Sequence, residues 1–349
     1  MGTPRTGPNI SFAGCGFLGI YHVGASACLK TYAPQLLENK IFGASAGAMT
    51  AVALISGIPL GEMASHVIKL ANNYKLLGMN VSLKEGWVKL LPDDIAAKAS
   101  GRLFISMTKV PIGPNVLVSE YHSKSDLIDA LLASSFVPMF SGLYPPKFRG
   151  ELMMDGGYSD NLPVLTGQTI TVSPFAGDAS ICPIDESQIG SVLNLRLPQG
   201  SGASANLSKD NCFKIVKALA PPNTEGLLRL CNQGYHDAMR YLQTMELIKC
   251  AECIKGGSES KSNLSYRVPE NKCDLCDVIK KEAETKTLPL EIREVFDEEI
   301  EKESKWPRGL YSSIFSLPSD FLLFVRITIS APLALCRDLE LQSCPFVGF

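Results

Sequence analysis

The sequence predicts an α/β protein with a three-layer αβα arrangement around a mostly parallel sheet, followed by a C-terminal extension. Three observations predict this fold class. Short apolar segments at residues 9–13 and 40–42 each run into a glycine-rich turn, and each turn opens a helix rich in small and apolar residues. A β-branched strand follows at residues 169–172. Strands that alternate with helices are typical of a parallel sheet covered on both faces.

The other elements follow from apolar spacing and from turn residues. The helix near residue 125 is expected to begin at a serine cap, either Ser123 or Ser125. Pro221 and Pro222 are expected to separate the last two helical segments of the apolar region. Further strands are expected at 103–107 and 115–118, and further helices at 63–77, 125–134, 214–219 and 227–245.

The composition limits the class of protein. The chain has 349 residues, of which 46% are apolar, so it can form one large α/β unit with an extension. A net charge of -2 gives no reason to expect nucleic acid as a partner. Residues 1–8 lack the apolar stretch of a secretory signal, so we expect a cytoplasmic protein. Its eleven cysteines should then be reduced thiols or metal ligands.

The amino-acid composition of the chain changes after residue 248 and again after residue 305. We expect a catalytic domain over 7–248, a segment with two cysteine pairs and an acidic connector over 249–305, and an apolar lipid-associating tail over 306–349. Residues 277–305 contain ten acidic and six basic side chains, which predicts a solvated helix or a disordered connector. Prolines and charges interrupt the tail, so we expect an in-plane membrane helix or droplet anchor. The alternative is a helix that packs on the catalytic domain.

Ser45 lies between Gly43 and Gly47 in a Gly-x-Ser-x-Gly motif. A serine hydroxyl is a poor nucleophile at neutral pH and needs both a base and an exposed position. The motif supplies the position, because the serine sits on a strained corner between strand and helix, where glycines let two chain segments cross. We therefore predict that Ser45 is a nucleophile. The alternative is a glycine-rich turn with a bystander serine.

A second motif, Gly-x-Gly-x-x-Gly, follows the first predicted strand and opens a helix. It formally matches a dinucleotide-binding loop, which also needs an acidic residue about twenty residues further on, at the end of a second strand. Glu38 precedes the strand that leads to Ser45, so we expect no catalytic cofactor. The same loop presents backbone N–H groups, as an oxyanion hole requires. The predicted loop residues are Gly14, Cys15, Gly16, Phe17, Leu18 and Gly19.

Asp155 follows two methionines and precedes two glycines. A partly desolvated carboxylate at a strand end has a raised pKa and can act as a base. The alternative is an aspartate that stabilises a glycine turn. A triad in the order serine, acid, histidine would need a histidine after Asp155, and only His236 lies there, within a helical segment. The sequence therefore predicts a dyad of Ser45 and Asp155.

Together and in this order, the three motifs resemble those of the patatin-like phospholipase family. In that family the serine and the aspartate form a catalytic dyad, and the glycine-rich loop is the oxyanion hole. The resemblance covers roughly residues 7–245 and implies a patatin-like αβα fold. After Cys250 the chain is more similar to invertebrate members of the family. Four segments are similar to the acylglycerol lipases of the family: residues 9–19, 99–103, 159–163 and 169–175.

The resemblance also implies a function. It implies a triacylglycerol lipase that releases fatty acid at a lipid droplet or membrane surface, aided by an α/β-hydrolase-like co-activator protein. A phospholipase A2 or lysophospholipase acting through the same dyad is the first alternative. A droplet-binding scaffold without enzymatic activity is the second.

Two cysteine pairs lie beyond the region of closest resemblance. Cys250 and Cys253 form the first Cys-x-x-Cys pair, and Cys273 and Cys276 form the second after nineteen intervening residues. Four thiolates at this spacing suit a tetrahedral structural zinc, which we predict here. The alternative is four incidental thiols in a polar loop.

Overall fold

A computed structural model describes most of the chain. The chain divides into two compact units, Met1–Asp297 and Glu298–Phe349. The boundaries predicted at residues 248 and 305 stay a prediction, and the apolar tail at 306–349 lies outside the described residues. The described residues are 7–73, 79–111, 113–138, 140–165, 168–184, 196–198, 200–202, 204–206, 208–248, 273–285 and 287–305.

The elements alternate along the chain as the sequence predicts. The strands are β1 (Asn9–Phe12), β2 (Ile41–Ala44), β3 (Leu103–Lys109), β4 (Asn115–Val118), β5 (Lys147–Phe148), β6 (Glu151–Asp155), β7 (Thr169–Val172), β8 (Arg196–Pro198) and β9 (Ser204–Asn206). The helices are α1 (Ile20–Tyr32), α2 (Ala46–Ser56), α3 (Leu60–Asn72), α4 (Met79–Leu90), α5 (Ile95–Ala99), α6 (Lys124–Ser134), α7 (Lys209–Leu219), α8 (Thr224–Thr244), α9 (Asp274–Thr285) and α10 (Leu290–Lys305). Short 3-10 turns occupy Gly16–Gly19, Pro34–Leu37 and Gly156–Tyr158.

The main sheet has the order β5-β6-β3-β2-β1-β7, and β4 also pairs with β3. The neighbours β7, β1, β2 and β3 are parallel, whereas β4, β5 and β6 join by antiparallel pairing. Helices cover both faces, so the predicted α/β patatin-like fold is confirmed. The parallel part of this mixed sheet is the run β3-β2-β1-β7, which ends at the β7 edge, and the antiparallel strands lie on the other side of β2.

The register across β3 brings two distant parts of the chain to one level of the sheet. Ala44, the last residue of β2, is paired with Ser106 on β3. Met107, the next residue of β3, is paired with Asp155 at the end of β6. Ser45 and Asp155 therefore lie on opposite sides of β3 at neighbouring positions, although 110 positions separate them along the chain.

Two glycines allow α1 and α8 to pack in close contact. A Cβ atom on Gly24 would collide with the carbonyl oxygen of Cys231, and one on Gly234 would collide with that of Tyr21. The Tyr21 hydroxyl donates to Oδ2 of Asp237 at 2.7 Å, which satisfies this buried carboxylate. This packing buries one face of α8 and fixes the position of α1 behind the glycine loop.

Residues 274–285 and 290–305 are helical and partly buried. Ile292 and Phe296 on α10 have no exposed surface, and Ala283 on α9 is also buried. The charged composition of residues 277–305 predicts a solvated helix or a disordered connector, and the described part is helical with some buried apolar side chains. The apolar residues that pack into the core recur at helical spacing, namely Ile279 and Ala283 on α9 and Ile292, Val295 and Phe296 on α10.

Helix α6 begins at a serine cap, as the sequence predicts. Ser123 caps α6 by accepting a hydrogen bond from the backbone N–H of Asp126 at 3.1 Å. Of the two predicted caps, Ser123 is therefore the one used.

Among the helices that the structure describes, none is both long and apolar enough to cross a membrane.

Candidate active site

The turn between β2 and α2 holds Ser45 in an unusual backbone conformation. Its φ is 52° and its ψ is -123°, a region that costs a residue with a side chain. A Cβ on Gly43 would collide with the backbone of Ala48, and one on Gly47 would collide with the carbonyl of Phe12. The two glycines of the motif thus permit the close crossing that the strained corner requires.

Asp155 ends β6 in a position fixed by three hydrogen bonds. Its backbone N–H donates to the carbonyl of Phe136 at 2.9 Å, and its carbonyl accepts from the Thr108 hydroxyl at 2.8 Å. Its carboxylate Oδ1 accepts the backbone N–H of Gly157 at 2.7 Å. A Cβ on Gly156 would collide with the carbonyl of Ser106, so only glycine fits directly after the aspartate.

The Ser45 side chain lies beside the Asp155 carboxylate, and its hydroxyl acts to lower the pKa of that carboxylate. Only 7% of each residue is exposed. Burial raises the pKa of Asp155 to about 6, and the hydrogen bonds from Gly157 N–H and the Ser45 hydroxyl oppose that rise. At neutral pH the carboxylate is therefore mostly ionised and is a stronger base than an exposed aspartate. This pair can transfer a proton from serine to aspartate.

The glycine loop lies directly against Ser45. A Cβ on Gly14 would be 3.3 Å from Cβ of Ser45. Asn161 fastens the loop at this point, because its carbonyl accepts the N–H of Gly14 at 3.2 Å and its Nδ2 donates to the carbonyl of Gly14 at 3.1 Å. Gly16 has a φ of 53° and packs against the carbonyl of Ala218, which excludes a side chain.

The backbone N–H groups of the loop differ in their partners. Gly14 N–H is occupied by Asn161, and Leu18 N–H donates to the carbonyl of Cys15 at 3.1 Å. Within the described residues, the N–H groups of Cys15 and Gly16 have no acceptor. Of the six predicted loop residues, Phe17, Leu18 and Gly19 are buried in the 3-10 turn that leads into α1. Of the four N–H groups compared, those of Cys15 and Gly16 are therefore the ones left free to donate to a ligand.

All four histidines lie in the described part of the chain, and none of them hydrogen-bonds Ser45 or Asp155. His236 is exposed on α8. His22 is fully buried on α1, and its Nε2 donates to the carbonyl of Ala13 at 2.8 Å, 3.3 Å from Sγ of Cys15. Burial lowers the pKa of His22 to about 4, so the ring is neutral and supports the loop.

Three buried or half-buried side chains support this site, and of these the sequence indicates only His22, whose place just past the glycine loop favours a structural role. Asn161, His22 and Ser134 hold the loop and the serine corner, yet none of them belongs to a catalytic motif. The only signal for Asn161 was its place in the segment 159–163, which resembles the acylglycerol lipases. Nothing in the residues around Ser134 indicates its role.

The predicted zinc site falls partly outside the described residues. Cys250 and Cys253 lie in the segment that the structure does not describe. Cys273 precedes α9, and Cys276 is buried on it. Within the described ranges, no group of three or more histidine, cysteine, aspartate or glutamate side chains could hold a metal ion. The zinc site stays a prediction from spacing.

Comparison with known proteins gives consistent matches. The model of the patatin-like phospholipase family matches residues 10–166, which include the glycine loop, Ser45 and Asp155. The rat patatin-like phospholipase domain-containing protein 2 is 42% identical over 252 residues, 69% of this chain and 52% of that protein. Mouse 1-acylglycerol-3-phosphate O-acyltransferase Pnpla3 is 40% identical over 282 residues, 77% of this chain and 65% of that protein.

The chain thus spans between about half and just under two thirds of these relatives' lengths. Human patatin-like phospholipase domain-containing protein 5 is also similar, with 38% identity over 69% of this chain and 58% of that protein. Among solved structures, VipD from Legionella pneumophila aligns over 69% of this chain and 67% of its own, at 14% identity and a TM-score of 0.35.

Proposed function

The chain belongs to the patatin-like phospholipase family, and on that premise we propose that Ser45 and Asp155 hydrolyse the ester bond of an acyl lipid. The placement of the Ser45 hydroxyl beside a buried carboxylate with a raised pKa carries this proposal. The strained corner at Ser45 and the adjacent glycine loop support it, because they supply an aimed nucleophile and nearby backbone donors.

The mechanism uses a single base for both halves of the reaction. Asp155 takes the proton of the Ser45 hydroxyl while the serine oxygen attacks the ester carbonyl carbon. The N–H groups of Cys15 and Gly16 donate to the oxyanion that forms. The intermediate collapses to an acyl-enzyme, and the leaving alcohol takes the proton from Asp155. Asp155 then deprotonates water, which attacks the acyl-enzyme, and Ser45 regains the proton as the fatty acid leaves.

Triacylglycerol is the substrate that we propose, at the surface of a lipid droplet and with an α/β-hydrolase-like co-activator. The resemblance of four segments to acylglycerol lipases supports this choice. Phospholipid or lysophospholipid is the rival substrate for the same two residues. The name of the mouse relative points to a second reaction of the same acyl-enzyme. In that reaction the acyl group passes to the hydroxyl of 1-acylglycerol-3-phosphate instead of to water.

A substrate panel tests the proposed function. Purified protein is given emulsified trioleoylglycerol, phosphatidylcholine or lysophosphatidylcholine, with and without the co-activator, and fatty acid release is measured. A parallel reaction contains 1-acylglycerol-3-phosphate as acceptor. We expect the highest turnover with trioleoylglycerol and none in the Ser45→Ala control. A preference for either phospholipid, or acyl transfer faster than hydrolysis, would overturn the substrate assignment. The assignment of Ser45 and Asp155 as nucleophile and base would remain.

The loop between α6 and β5 has two exposed apolar side chains. Leu143 is 66% exposed and Tyr144 is 86% exposed. The loop begins at Phe136, whose carbonyl accepts the N–H of Asp155, and it ends at the exposed Lys147. An exposed aromatic ring with a leucine and a cation is typical of side chains at a lipid–water interface. We propose that this loop contacts the lipid surface.

Replacing the two apolar side chains should weaken contact with lipid but leave the chemistry intact. For the double variant Leu143→Ser and Tyr144→Ser, we expect binding to vesicles of phosphatidylcholine and phosphatidylserine to fall at least about fivefold. Hydrolysis of a water-soluble short-chain ester should change by less than about twofold, because neither side chain forms part of the mechanism. Vesicle sedimentation and ester turnover are the two measurements.

Leu290→Ser is the matched control for the loop, because Leu290 is 61% exposed at the start of α10. Its vesicle binding should equal that of the unmodified protein. Vesicle binding by the loop variant equal to that of the unmodified protein would contradict the proposed lipid contact of the loop. Deletion of residues 306–349 would then test whether that tail contacts lipid instead.

We propose that Cys250, Cys253, Cys273 and Cys276 bind one structural zinc ion, on the strength of their spacing. Metal analysis should find about one zinc per chain, and removal by a chelator should lower the melting temperature without changing turnover. The Cys273→Ser variant should lose the metal, whereas Cys182→Ser should retain it. Less than about half an equivalent of zinc would contradict the site.

A further inference from the structure

A buried serine on α6 holds the backbone of Ser45. The hydroxyl of Ser134, the last residue of α6, accepts the backbone N–H of Ser45 at 2.8 Å. The same hydroxyl donates its hydrogen to the carbonyl of Ser106 on β3 at 2.7 Å. Ser134 and Ser106 both have no exposed surface. One side chain thus ties the corner at Ser45 to the neighbouring strand, across a sequence separation of 89 residues.

Ser45 needs such a tie more than an ordinary residue does. Its φ of 52° lies in a region that a serine leaves unless surrounding contacts hold it there. Its buried N–H has no other acceptor within the described residues. Without the Ser134 hydroxyl, this donor would lose its partner, and rotation of the backbone towards a relaxed conformation would become favourable.

Ser106, whose carbonyl accepts the Ser134 hydroxyl, also contacts the turn that follows Asp155. Ser106 packs its carbonyl against Gly156, the residue directly after Asp155. Its hydroxyl donates to the carbonyl of Asp160 at 2.7 Å and accepts from Nδ2 of Asn115 at 2.7 Å. The carbonyl that receives the Ser134 hydroxyl therefore belongs to the residue on which the turn after Asp155 rests.

We propose that Ser134 is a positioning residue, which holds the Ser45 hydroxyl within hydrogen-bond reach of the Asp155 carboxylate. This inference rests on the proposed roles of Ser45 and Asp155 in ester hydrolysis. Ser134 touches the backbone of Ser45 and not the reacting atoms, so its loss affects the rate of proton transfer rather than the affinity for substrate. The expected signature is a lower kcat at an unchanged KM.

The neighbouring serine provides a matched control. Ser135 is also buried, with 8% exposed, and follows Ser134 directly at the end of α6. Its hydroxyl donates to the carbonyl of Leu131 at 2.9 Å, within its own helix, and does not reach the corner at Ser45. Ser134→Ala and Ser135→Ala therefore delete the same atom at adjacent buried positions, and only the first deletion removes the tie.

The test combines turnover with hydrogen exchange. Active sites are titrated with a fluorophosphonate so that kcat refers to intact sites, which removes the effect of any unfolded fraction. We expect kcat to fall by about ten- to a hundredfold in Ser134→Ala, with KM within about twofold of its original value. Exchange of the Ser45 amide should accelerate by at least about tenfold. Ser135→Ala should leave both quantities within about twofold.

Hydrogen exchange also separates this inference from the proposed function. Hydrolysis that persists in Ser45→Ala would refute the proposed nucleophile, while the exchange rate of the Ser45 amide would still report on its bond to Ser134. An unchanged kcat per titrated site in Ser134→Ala, or unchanged exchange of the Ser45 amide, would overturn the positioning role. An equal fall of kcat in both variants would overturn it as well, because Ser135 does not contact Ser45.

Discussion

The Ser45→Ala variant should lose ester hydrolysis by at least about a thousandfold and keep its fold. Alanine has no oxygen with which to form the acyl-enzyme, and it fits the space that the serine leaves. Fatty acid release measures the loss of activity. Thermal unfolding followed by circular dichroism measures the fold, and the melting temperature should change by no more than a few degrees, because a single small atom is deleted.

Ser26→Ala is the control for this variant. Ser26 is fully buried on α1, and its hydroxyl has no hydrogen-bond partner among the residues that the structure describes. Its deletion should leave both turnover and fold unchanged. If Ser45→Ala retained more than about a tenth of the original turnover, Ser45 could not be the nucleophile that the mechanism requires.

The second large effect is expected for Asp155→Asn. Asparagine has nearly the same shape and can still accept the N–H of Gly157, but it cannot take the proton of Ser45. Turnover should fall by about a hundred- to ten-thousandfold, the range typical of general-base catalysis. Asp129→Asn is the control, because Asp129 is an exposed carboxylate on α6. Turnover within about tenfold of the original in Asp155→Asn would contradict the assigned base.

The raised pKa of Asp155 also predicts how activity depends on pH. The base acts in its ionised form, so kcat/KM should fall as the pH decreases through about 6. Below that value the fall should approach tenfold per pH unit, as for a single essential base. The Asp155→Asn variant should lack this limb of the profile. A limb near the ordinary aspartate pKa would contradict a desolvated Asp155 carboxylate in the free enzyme.

The raised pKa of Asp155 also predicts that stability falls as the pH rises, whereas activity increases. The folded state prefers the neutral carboxyl, because burial penalises its charge. The contribution of this group to stability is therefore complete below its unfolded pKa of 3.8 and is lost as the pH rises through about 6. Asparagine is neutral at every pH, so Asp155→Asn should melt at a higher temperature than the original protein above about pH 6.

The local parts of the site could be predicted from the sequence, because they depend on residues that are neighbours in the chain. The glycine loop before α1 and the corner at Ser45 each need glycines at fixed offsets, and those glycines have no local substitute. The structure has these turns where the motifs predict them, between β1 and α1 and between β2 and α2.

The parts that depend on distant contacts could not be predicted in the same way. The mixed character of the sheet arises where β6 pairs antiparallel with β3, and this pairing sets the distance between Ser45 and Asp155. Asn161 reaches Gly14 across 147 residues, and Ser134 reaches Ser45 across 89. A single serine or asparagine in a loop or at a helix end leaves no pattern from which such contacts could be inferred.

The most direct test of the proposed dyad is the rate at which a fluorophosphonate modifies the protein at different pH values. Intact-mass and peptide analysis should find one adduct, on Ser45, whose rate of formation rises with pH through about 6 in the original protein. In Asp155→Asn the reaction should be slow and independent of pH in this range. An adduct on another residue, or equal rates in both proteins, would contradict the assignment of Ser45 and Asp155 as nucleophile and base.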